Sequence, residues 1–254
     1  MTSNFSNPFV SVAMEEVKVG GQEVPKIGVM IKDDEGEKRC VGILSKDYNL
    51  IKNQVAHDTA HDVMTRSKYK WKELKTLWNG KLYIAHYITE QPINKQKNLP
   101  LHAGIMVRNS YDGMGCFGFE MFACNMACTN QYISRNRFGY FAIRHVGKNQ
   151  FDIDDALENV QKGAEKLLEV APVIEHLRKL PITIPSIIAA KSNTNIPQSK
   201  WGEVIDQLGK EEDNQFGLFQ AMTFVTTHIL TGYTAITIGD GVTEWMLRNQ
   251  EPTK

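Results

Sequence analysis

The chain has 254 residues, 42% hydrophobic and 23% charged, and its 29 basic side chains balance its 29 acidic ones. The apolar share is sufficient for a sizeable core, so the composition excludes wholesale disorder, and the length allows one large domain or two small ones. No run approaches the roughly 18 apolar residues of a membrane span, and the polar N-terminus lacks the apolar core of a secretion signal. We therefore expect no membrane partner and no secretion.

The N-terminal quarter has strand patterns followed by one helical pattern. Alternating apolar residues predict a strand over Phe9–Val19, and Lys26–Ile31 and Cys40–Leu44 form a predicted hairpin around an acidic turn. A helix is predicted from about Asn49 to Thr65, and Asp47 is a candidate for its N-terminal cap.

The central part is predicted to contain two further hairpins and a short strand. Asn79–Gly80 is the strongest short hairpin signal in the chain, and Tyr111–Asp112–Gly113 marks the turn of the second hairpin. The predicted strands cover Tyr69–Thr76, Lys81–Tyr87, Leu101–Arg108, Gly115–Ala123 and Tyr140–His145.

Helical periodicity begins after this strand-rich part. A helix is predicted over Ile153–Val170. Pro172 is expected to end or kink this helix, with a resumption of the helical pattern to about His176 as the alternative, and Pro181, Pro185 and Pro197 interrupt a connecting region. Further helices are predicted near Gln198–Leu208, Gln215–Thr231 and Val242–Arg248. The predicted fold class is therefore α+β, with antiparallel sheet in residues 1–150 and a helical part in residues 151–254 packed on it as one domain.

The balanced net charge hides a segregation along the chain. Residues 1–65 carry 7 basic and 10 acidic side chains, a net charge of −3. Residues 66–148 carry 13 basic and 4 acidic side chains, a net charge of +9, and residues 151–254 carry 9 basic and 15 acidic ones, a net charge of −6. The basic central block is the feature that points most directly to a partner.

Aromatic residues are interleaved with these central cations. Arg66, Lys68, Lys70, Lys72 and Lys75 alternate with Tyr69, Trp71 and Trp78, and Arg135, Arg137, Arg144 and Lys148 surround Phe138, Tyr140 and Phe141. Unpaired bases stack on aromatic rings while cations contact the phosphates, so this pattern favours single-stranded nucleic acid. The alternative is a solvated strand face with the aromatic rings in the core, because residues two apart in a strand share a face.

Two patterns are candidates for catalytic or metal-binding sites. His57 and His61 lie four residues apart on the predicted first helix, each followed by an aspartate (Asp58, Asp62), which is compatible with a metal-dependent hydrolase that lacks a recognisable third ligand. Cys124 and Cys128 are also four apart, with Cys116 upstream, but no second ligand pair completes a zinc site. A thiol nucleophile paired with His145 is the weaker alternative.

Residues 104–148 carry a recognisable order of motifs. Asn109-Ser-Tyr-Asp-Gly113 is followed by Cys128-Thr-Asn130 and then by His145. This order resembles a family of uncharacterised phage- and plasmid-encoded proteins, and the resemblance extends over roughly Val41–Leu247. The chain departs from the family at Asn125, where an arginine is common, and at Gln131, where glycine is usual.

The resemblance implies a role in the DNA metabolism of mobile elements. In outline the predicted architecture is also similar to single-strand annealing proteins, which bind DNA in a basic groove between a sheet and a helix, often as rings. The hypothesis is a non-catalytic binder of single-stranded DNA, with RNA left open, that forms homo-oligomers in the cytoplasm of an infected or plasmid-bearing microbial cell. The alternatives are a structural or oligomerising viral protein and the metal-dependent hydrolase.

The predicted interface combines phosphate-contacting cations with two stacking rings, and no catalytic residue, metal or cofactor is predicted. Its members are Lys68, Lys70, Lys72, Arg108, Tyr132, Arg135, Arg137, Tyr140, Arg144 and Lys148.

Overall fold

A computed structural model describes residues 5–94, 100–125, 130–134, 138–145 and 153–248. It confirms the α+β class: antiparallel sheets occupy the N-terminal half and helices the C-terminal part. The chain divides into two compact units. The first comprises residues 1–88, 105–120 and 140–160, and the second comprises residues 89–104, 121–139 and 161–254.

A three-stranded antiparallel sheet begins the first unit. Its strands are β1 (Val12–Val19), β2 (Gln22–Lys32) and β3 (Lys38–Ser45), in the order β1-β2-β3. The predicted hairpin around the acidic turn is confirmed by the pairing of Lys32 with Lys38. Asp33, which is 5% exposed, accepts the backbone N–H of Glu37 and so closes the turn.

The first helix, α1 (Asn53–Arg66), begins four residues later than predicted. Asp47 does not cap it, because Lys52 occupies the cap position and the backbone of Asn49 donates to the carbonyl oxygen of His145. The hydroxyl of Tyr111 instead accepts the first helical N–H, that of Asn53, at 2.7 Å. A buried tyrosine thus accepts a hydrogen bond from the helix N-terminus, which in most helices a short polar cap residue accepts.

The second sheet contains both predicted central hairpins. Asn79 Oδ1 accepts the backbone N–H groups of Lys81 and Leu82, and Gly80 adopts φ +86°, which the turn requires. The strands are β4 (Trp71–Trp78), β5 (Leu82–Thr89), β6 (Leu101–Ser110), β7 (Phe117–Asn125), β8 (Asn130–Ile133) and β9 (Tyr140–Ile143). The strand order is β4-β5-β6-β7-β8, and β9 also pairs with β7.

Strand β8 was not predicted from the sequence. Its four residues pair with the end of β7, in register from Asn125↔Asn130 to Phe122↔Ile133. All four are buried, and the side chain of Asn130 donates to the carbonyl oxygen of Gln220 and to the Thr223 hydroxyl. Polar residues in a buried strand give no alternating pattern, so the periodicity argument could not detect it.

The helices of the C-terminal part match the predicted order with three corrections. Pro172 does not end the first of them: that helix ends at Leu167, and Pro172 lies in the first turn of the next helix, Val170–Leu177. The region around Pro185 was predicted to be irregular but is helical, because Pro185 lies in the first turn of a helix, where proline is tolerated. Thr183 and Ser186 form a capping box at the start of this helix. The last helix has 17 residues, much longer than predicted. The helices are α2 (Ile153–Leu167), α3 (Val170–Leu177), α4 (Ile184–Asn193), α5 (Trp201–Leu208), α6 (Gln215–Phe224) and α7 (Gly232–Arg248).

Short irregular turns join some of these helices. A 3₁₀ turn at Gln198–Lys200 precedes α5, and a π-helical turn at Val225–Ile229 follows α6. Among the helices that the structure describes, none is both long and apolar enough to cross a membrane.

Gly104 in β6 offers a test of packing in the second unit. The ring of Phe122 lies where a Cβ atom on Gly104 would be placed. We expect Gly104→Ala to lower the free energy of unfolding by about 1–3 kcal/mol, because the ring or the strand must shift. Urea unfolding measures the change. Gly202→Ala is the control, since open space surrounds Gly202 in α5; equal losses in both variants would contradict the packing argument.

Candidate nucleic-acid interface

Five consecutive residues form the most exposed group of predicted contacts. We call Lys68–Lys72 the cation–aromatic segment; it connects α1 to β4 and includes the first two residues of that strand. Its three lysines are exposed, whereas Tyr69 and Trp71 are half-buried. The strand starts only at Trp71, so the alternation rule does not apply to Lys68 and Lys70, and the rings retain accessible surface beside the lysines.

The two rings of this segment are held in place. Their centroids are 6.1 Å apart at an interplanar angle of 82°, an edge-to-face contact. The indole N–H of Trp71 donates to the Ser67 hydroxyl at 2.6 Å, and that hydroxyl donates to the carbonyl oxygen of Met64 at the end of α1. The Lys68 ammonium lies 5.3 Å from the Tyr69 ring centroid. The end of the helix therefore fixes the aromatic part of the segment.

Arg66 does not extend the basic surface in the same way. Its guanidinium is 3.1 Å from the carboxylate of Asp62 and 3.6 Å from that of Asp154. Two carboxylates neutralise its charge locally, so the contribution of this residue to a phosphate site is small.

Arg108 is a correction to the predicted interface. Its side chain is completely buried, and Nη2 lies 3.0 Å from Glu120 Oε1 and 2.7 Å from the Tyr140 hydroxyl oxygen. The same nitrogen donates to Cys116 Sγ at 3.4 Å. A guanidinium without exposed surface cannot reach a phosphate, so Arg108 is removed from the interface.

Tyr132 is the second correction. It is 0% exposed, its hydroxyl donates to Gln220 Oε1 at 2.5 Å, and its ring lies 4.8 Å from that of Phe219. A ring enclosed in this way cannot stack on a base. The sequence placed it in an aromatic and basic stretch, but its strand, β8, is internal to the fold.

Tyr140 and Arg144, at the start and just after the end of strand β9 in the first unit, are both accessible. Tyr140 begins β9 and is 39% exposed, and Arg144, just after the strand, is exposed. The Tyr140 hydroxyl is fixed by Arg108, whose guanidinium carbon also lies 5.2 Å from the ring centroid. Burial raises the pKa of the Tyr140 hydroxyl, with a further contribution from Cys116, so this phenol stays neutral. The predicted contacts Arg135, Arg137 and Lys148 lie outside the described residues.

The accessible predicted residues form two groups rather than one continuous track. In the sheet, β4 is separated from β9 by β5, β6 and β7. Four inter-strand steps amount to about 19 Å, and every residue of β6 and β7 is buried. Within the described residues, the Lys68–Lys72 segment and the Tyr140–Arg144 group therefore cannot be joined across an open sheet face.

The first part of the motif order, Asn109–Gly113, is held in local structure, whereas Cys128 and Thr129 lie outside the described residues. The side-chain amide of Asn109 donates to the carbonyl oxygen of Ile51 and to Asn53 Oδ1, both at 2.8 Å. Ser110 Oγ accepts the Gly115 N–H, and Asp112 accepts the Met114 N–H. These residues shape the β6–β7 turn and attach it to the start of α1, so this part of the motif specifies local structure.

The histidine pair of the hydrolase alternative is engaged by its neighbours. His57 Nδ1 is 3.0 Å from the Tyr87 hydroxyl oxygen, and the Phe9 ring packs against the imidazole. Asp62 pairs with Arg66, and Asp58 accepts from Gln54. In the part of the chain that the structure describes, no group of three His, Cys, Asp or Glu side chains is placed to hold a metal ion. Of the predicted cysteine pair, Cys124 is buried and Cys128 lies outside the described residues.

His86 provides a test of pH dependence. This residue of β5 is 4% exposed, and burial, together with the charge of Lys75, lowers its pKa to about 3. The imidazole stays neutral in the folded chain but takes up a proton in the unfolded chain below about pH 6.5. The stability that this difference contributes is complete above pH 6.5 and is lost as the pH falls towards 3.

We therefore expect the free energy of unfolding to decrease on acidification from about pH 6.5 to about pH 4.5, and to decrease less in His86→Gln. Urea unfolding at several pH values measures both slopes. His145, whose pKa burial also lowers, accounts for part of the slope that remains in the variant. Parallel slopes in the two proteins would show that His86 does not contribute.

Sequence reasoning missed the residues that organise both accessible groups. Ser67, which fixes Trp71, and Glu120, which contacts Arg108, carried no motif or charge pattern, and Cys116 was considered only as a zinc ligand or nucleophile. The only available signal was the position of Glu120, one of four acids in the basic block of residues 66–148. An isolated acid in a cationic stretch is a candidate partner for a buried arginine.

A family model described as a domain of unknown function, DUF932, matches residues 40–251. Comparison with curated proteins and with solved structures finds no match. The family match includes the cation–aromatic segment, both central hairpins and all of the described C-terminal helices.

Proposed function

The chain belongs to the DUF932 family of domains of unknown function, and we propose that it binds single-stranded nucleic acid without catalysis, through the cation–aromatic segment Lys68–Lys72. The observation that carries this proposal is the alternation, within five residues, of three exposed lysines with two accessible rings held edge to face. Lysines supply charge to phosphates, and aromatic rings supply stacking surface to bases.

Preorganisation supports the aromatic part of the proposal. Trp71 is fixed by its hydrogen bond to Ser67 at 2.6 Å, so a base that stacks on it costs little side-chain entropy. A stacked base contributes about 1–3 kcal/mol in proteins of this kind. Because stacking uses the face common to all bases, binding is expected to depend weakly on sequence.

The biological role that we propose is DNA annealing or recombination in a phage or plasmid. It rests on the motif order Asn109–Gly113, Cys128–Asn130 and His145, which resembles proteins of such elements. Under this proposal the protein acts as a homo-oligomer in the cytoplasm of an infected or plasmid-bearing microbial cell, and RNA is the alternative ligand.

A titration of the full chain with a fluorescent oligothymidylate tests binding. Three lysine–phosphate contacts correspond to a slope of about −2 in a plot of log affinity against log salt concentration. A matched double-stranded oligonucleotide is expected to bind less tightly, because its bases are not available for stacking. Absence of binding, or binding without a salt slope, would refute the proposal, and a matched RNA oligonucleotide decides between DNA and RNA.

A second candidate function is that of a structural, self-associating protein. Ile184 and Ile188, one turn apart on α4, are 75% and 59% exposed, and such apolar surface favours an interaction between proteins. The mass of the particle in solution, measured with and without the oligonucleotide, separates the two. Assembly that needs no oligonucleotide, combined with no binding of it, would favour the structural role.

A further inference from the structure

Cys116 lies in a cluster of polar side chains in the first unit that the proposed function does not use. The residue is half-buried, directly before β7, and its sulfur is 3.4 Å from Arg108 Nη2 and 3.4 Å from the Tyr140 hydroxyl oxygen. The arginine is completely buried, and its Nη2 also contacts Glu120. The residue is therefore partly exposed, while a buried cation donates to its sulfur.

We propose that Cys116 is a site of reversible oxidation by hydroperoxides, with hydrogen peroxide as the simplest substrate. In this reaction the sulfur attacks one peroxide oxygen, an S–O bond forms and the O–O bond breaks. The thiol proton leaves when the sulfur becomes the nucleophile, and the leaving hydroxide takes up that proton and departs as water. Sulfur therefore loses the two electrons that the peroxide gains. The product is a sulfenic acid, which a second thiol reduces through a disulfide.

The Arg108 contact is what distinguishes this cysteine chemically. A negatively charged sulfur is the nucleophile, and a guanidinium donor 3.4 Å away stabilises that charge. The Tyr140 hydroxyl, held by the same guanidinium at 2.7 Å, is a second donor within reach of the sulfur. Glu120 partly offsets the positive charge, but it contacts the arginine and fixes the direction in which Nη2 points.

Cys40 and Cys124 provide comparisons within the same chain. Cys40 is more exposed than Cys116, but its sulfur contacts a backbone carbonyl oxygen, that of Gly42, at 3.4 Å. A carbonyl oxygen accepts from a thiol and repels negative charge on sulfur. Cys124 is fully buried. If exposure alone set the rate of oxidation, Cys40 would react fastest. If the contacts of Cys116 with Arg108 and Tyr140 set it, Cys116 reacts fastest.

The test treats the full chain with a limiting amount of hydrogen peroxide, traps sulfenic acid with a cyclic 1,3-diketone and quantifies each cysteine by peptide mass spectrometry. We expect Cys116 to be oxidised about tenfold faster than Cys40, the effect of one charge-assisted hydrogen bond. A disulfide that contains Cys116, read from unreduced peptides, counts as its oxidation. Equal rates, or faster oxidation of Cys40, would overturn the proposal.

The variant Tyr140→Phe tests whether the reactivity of Cys116 depends on its contacts in the cluster or only on its partial exposure. The variant keeps the ring and removes the hydroxyl that lies 3.4 Å from the sulfur. We expect oxidation of Cys116 to slow by several-fold while that of Cys40 is unchanged. If both rates stay the same, the cluster does not activate the thiol. Because the comparison with Cys40 is made in the wild-type chain, the proposal is testable even if this variant does not fold.

Discussion

Replacing Lys68, Lys70 and Lys72 together by alanine is expected to weaken binding of single-stranded DNA by about a hundredfold at 0.1 M salt. The estimate follows from counterion release: each phosphate contact contributes about −0.7 to the salt slope on a single strand, so three contacts contribute about −2. The variant should therefore both bind less tightly and show a slope reduced by about 2 units. The measurement is the fluorescence titration, repeated over a series of salt concentrations.

A matched variant removes the same charge from another surface. Lys26, Lys32 and Lys46 are exposed residues of the N-terminal sheet and its following turn, and their replacement by alanine changes the net charge equally. We expect this control to leave the salt slope nearly unchanged. If both triple variants lose affinity to the same extent, only the overall charge matters and the cation–aromatic segment is not the binding site.

The predictable part of the fold was the part with local signals. Asn79–Gly80 marks a hairpin because few residues accept its backbone angles, and alternating apolar residues mark β1–β3. Pro185 misled the prediction because the same residue that breaks a helix interior is accepted in the first turn. Strand β8 was missed because its four buried residues, two polar ones followed by Tyr132 and Ile133, do not alternate between polar and apolar.

The candidate site was predictable only where it is contiguous in the chain. The Lys68–Lys72 segment is recognised from residues that are adjacent in the sequence. Its exposure could be predicted without knowledge of any long-range contact. Arg108 has the same charge but the opposite environment, since its partners Glu120 and Tyr140 come 12 and 32 residues later. A count of charges along the sequence therefore overestimates the basic surface wherever the fold brings an acidic side chain into contact with a basic one.

The buried pair of Arg108 and Glu120 gives the largest expected effect on stability. Both side chains are 0% exposed, with Nη2 and Oε1 3.0 Å apart. We expect Arg108→Met to cost about 3–5 kcal/mol, because it removes a cation 3.0 Å from the buried Glu120 carboxylate, and Glu120→Met to cost a similar amount because it removes an anion from the buried guanidinium. Urea unfolding of each variant measures the free energy of unfolding.

The double variant Arg108→Met with Glu120→Met is the more informative measurement. It removes both charges and keeps two unbranched side chains of similar length, so we expect it to recover most of the stability that each single variant loses. Lys200 and Glu203, 2.8 Å apart and each about a third exposed, are the control pair, for which the same cycle should give a coupling of about 0–1 kcal/mol. A coupling at Arg108 and Glu120 no larger than this would mean that solvent reaches the pair.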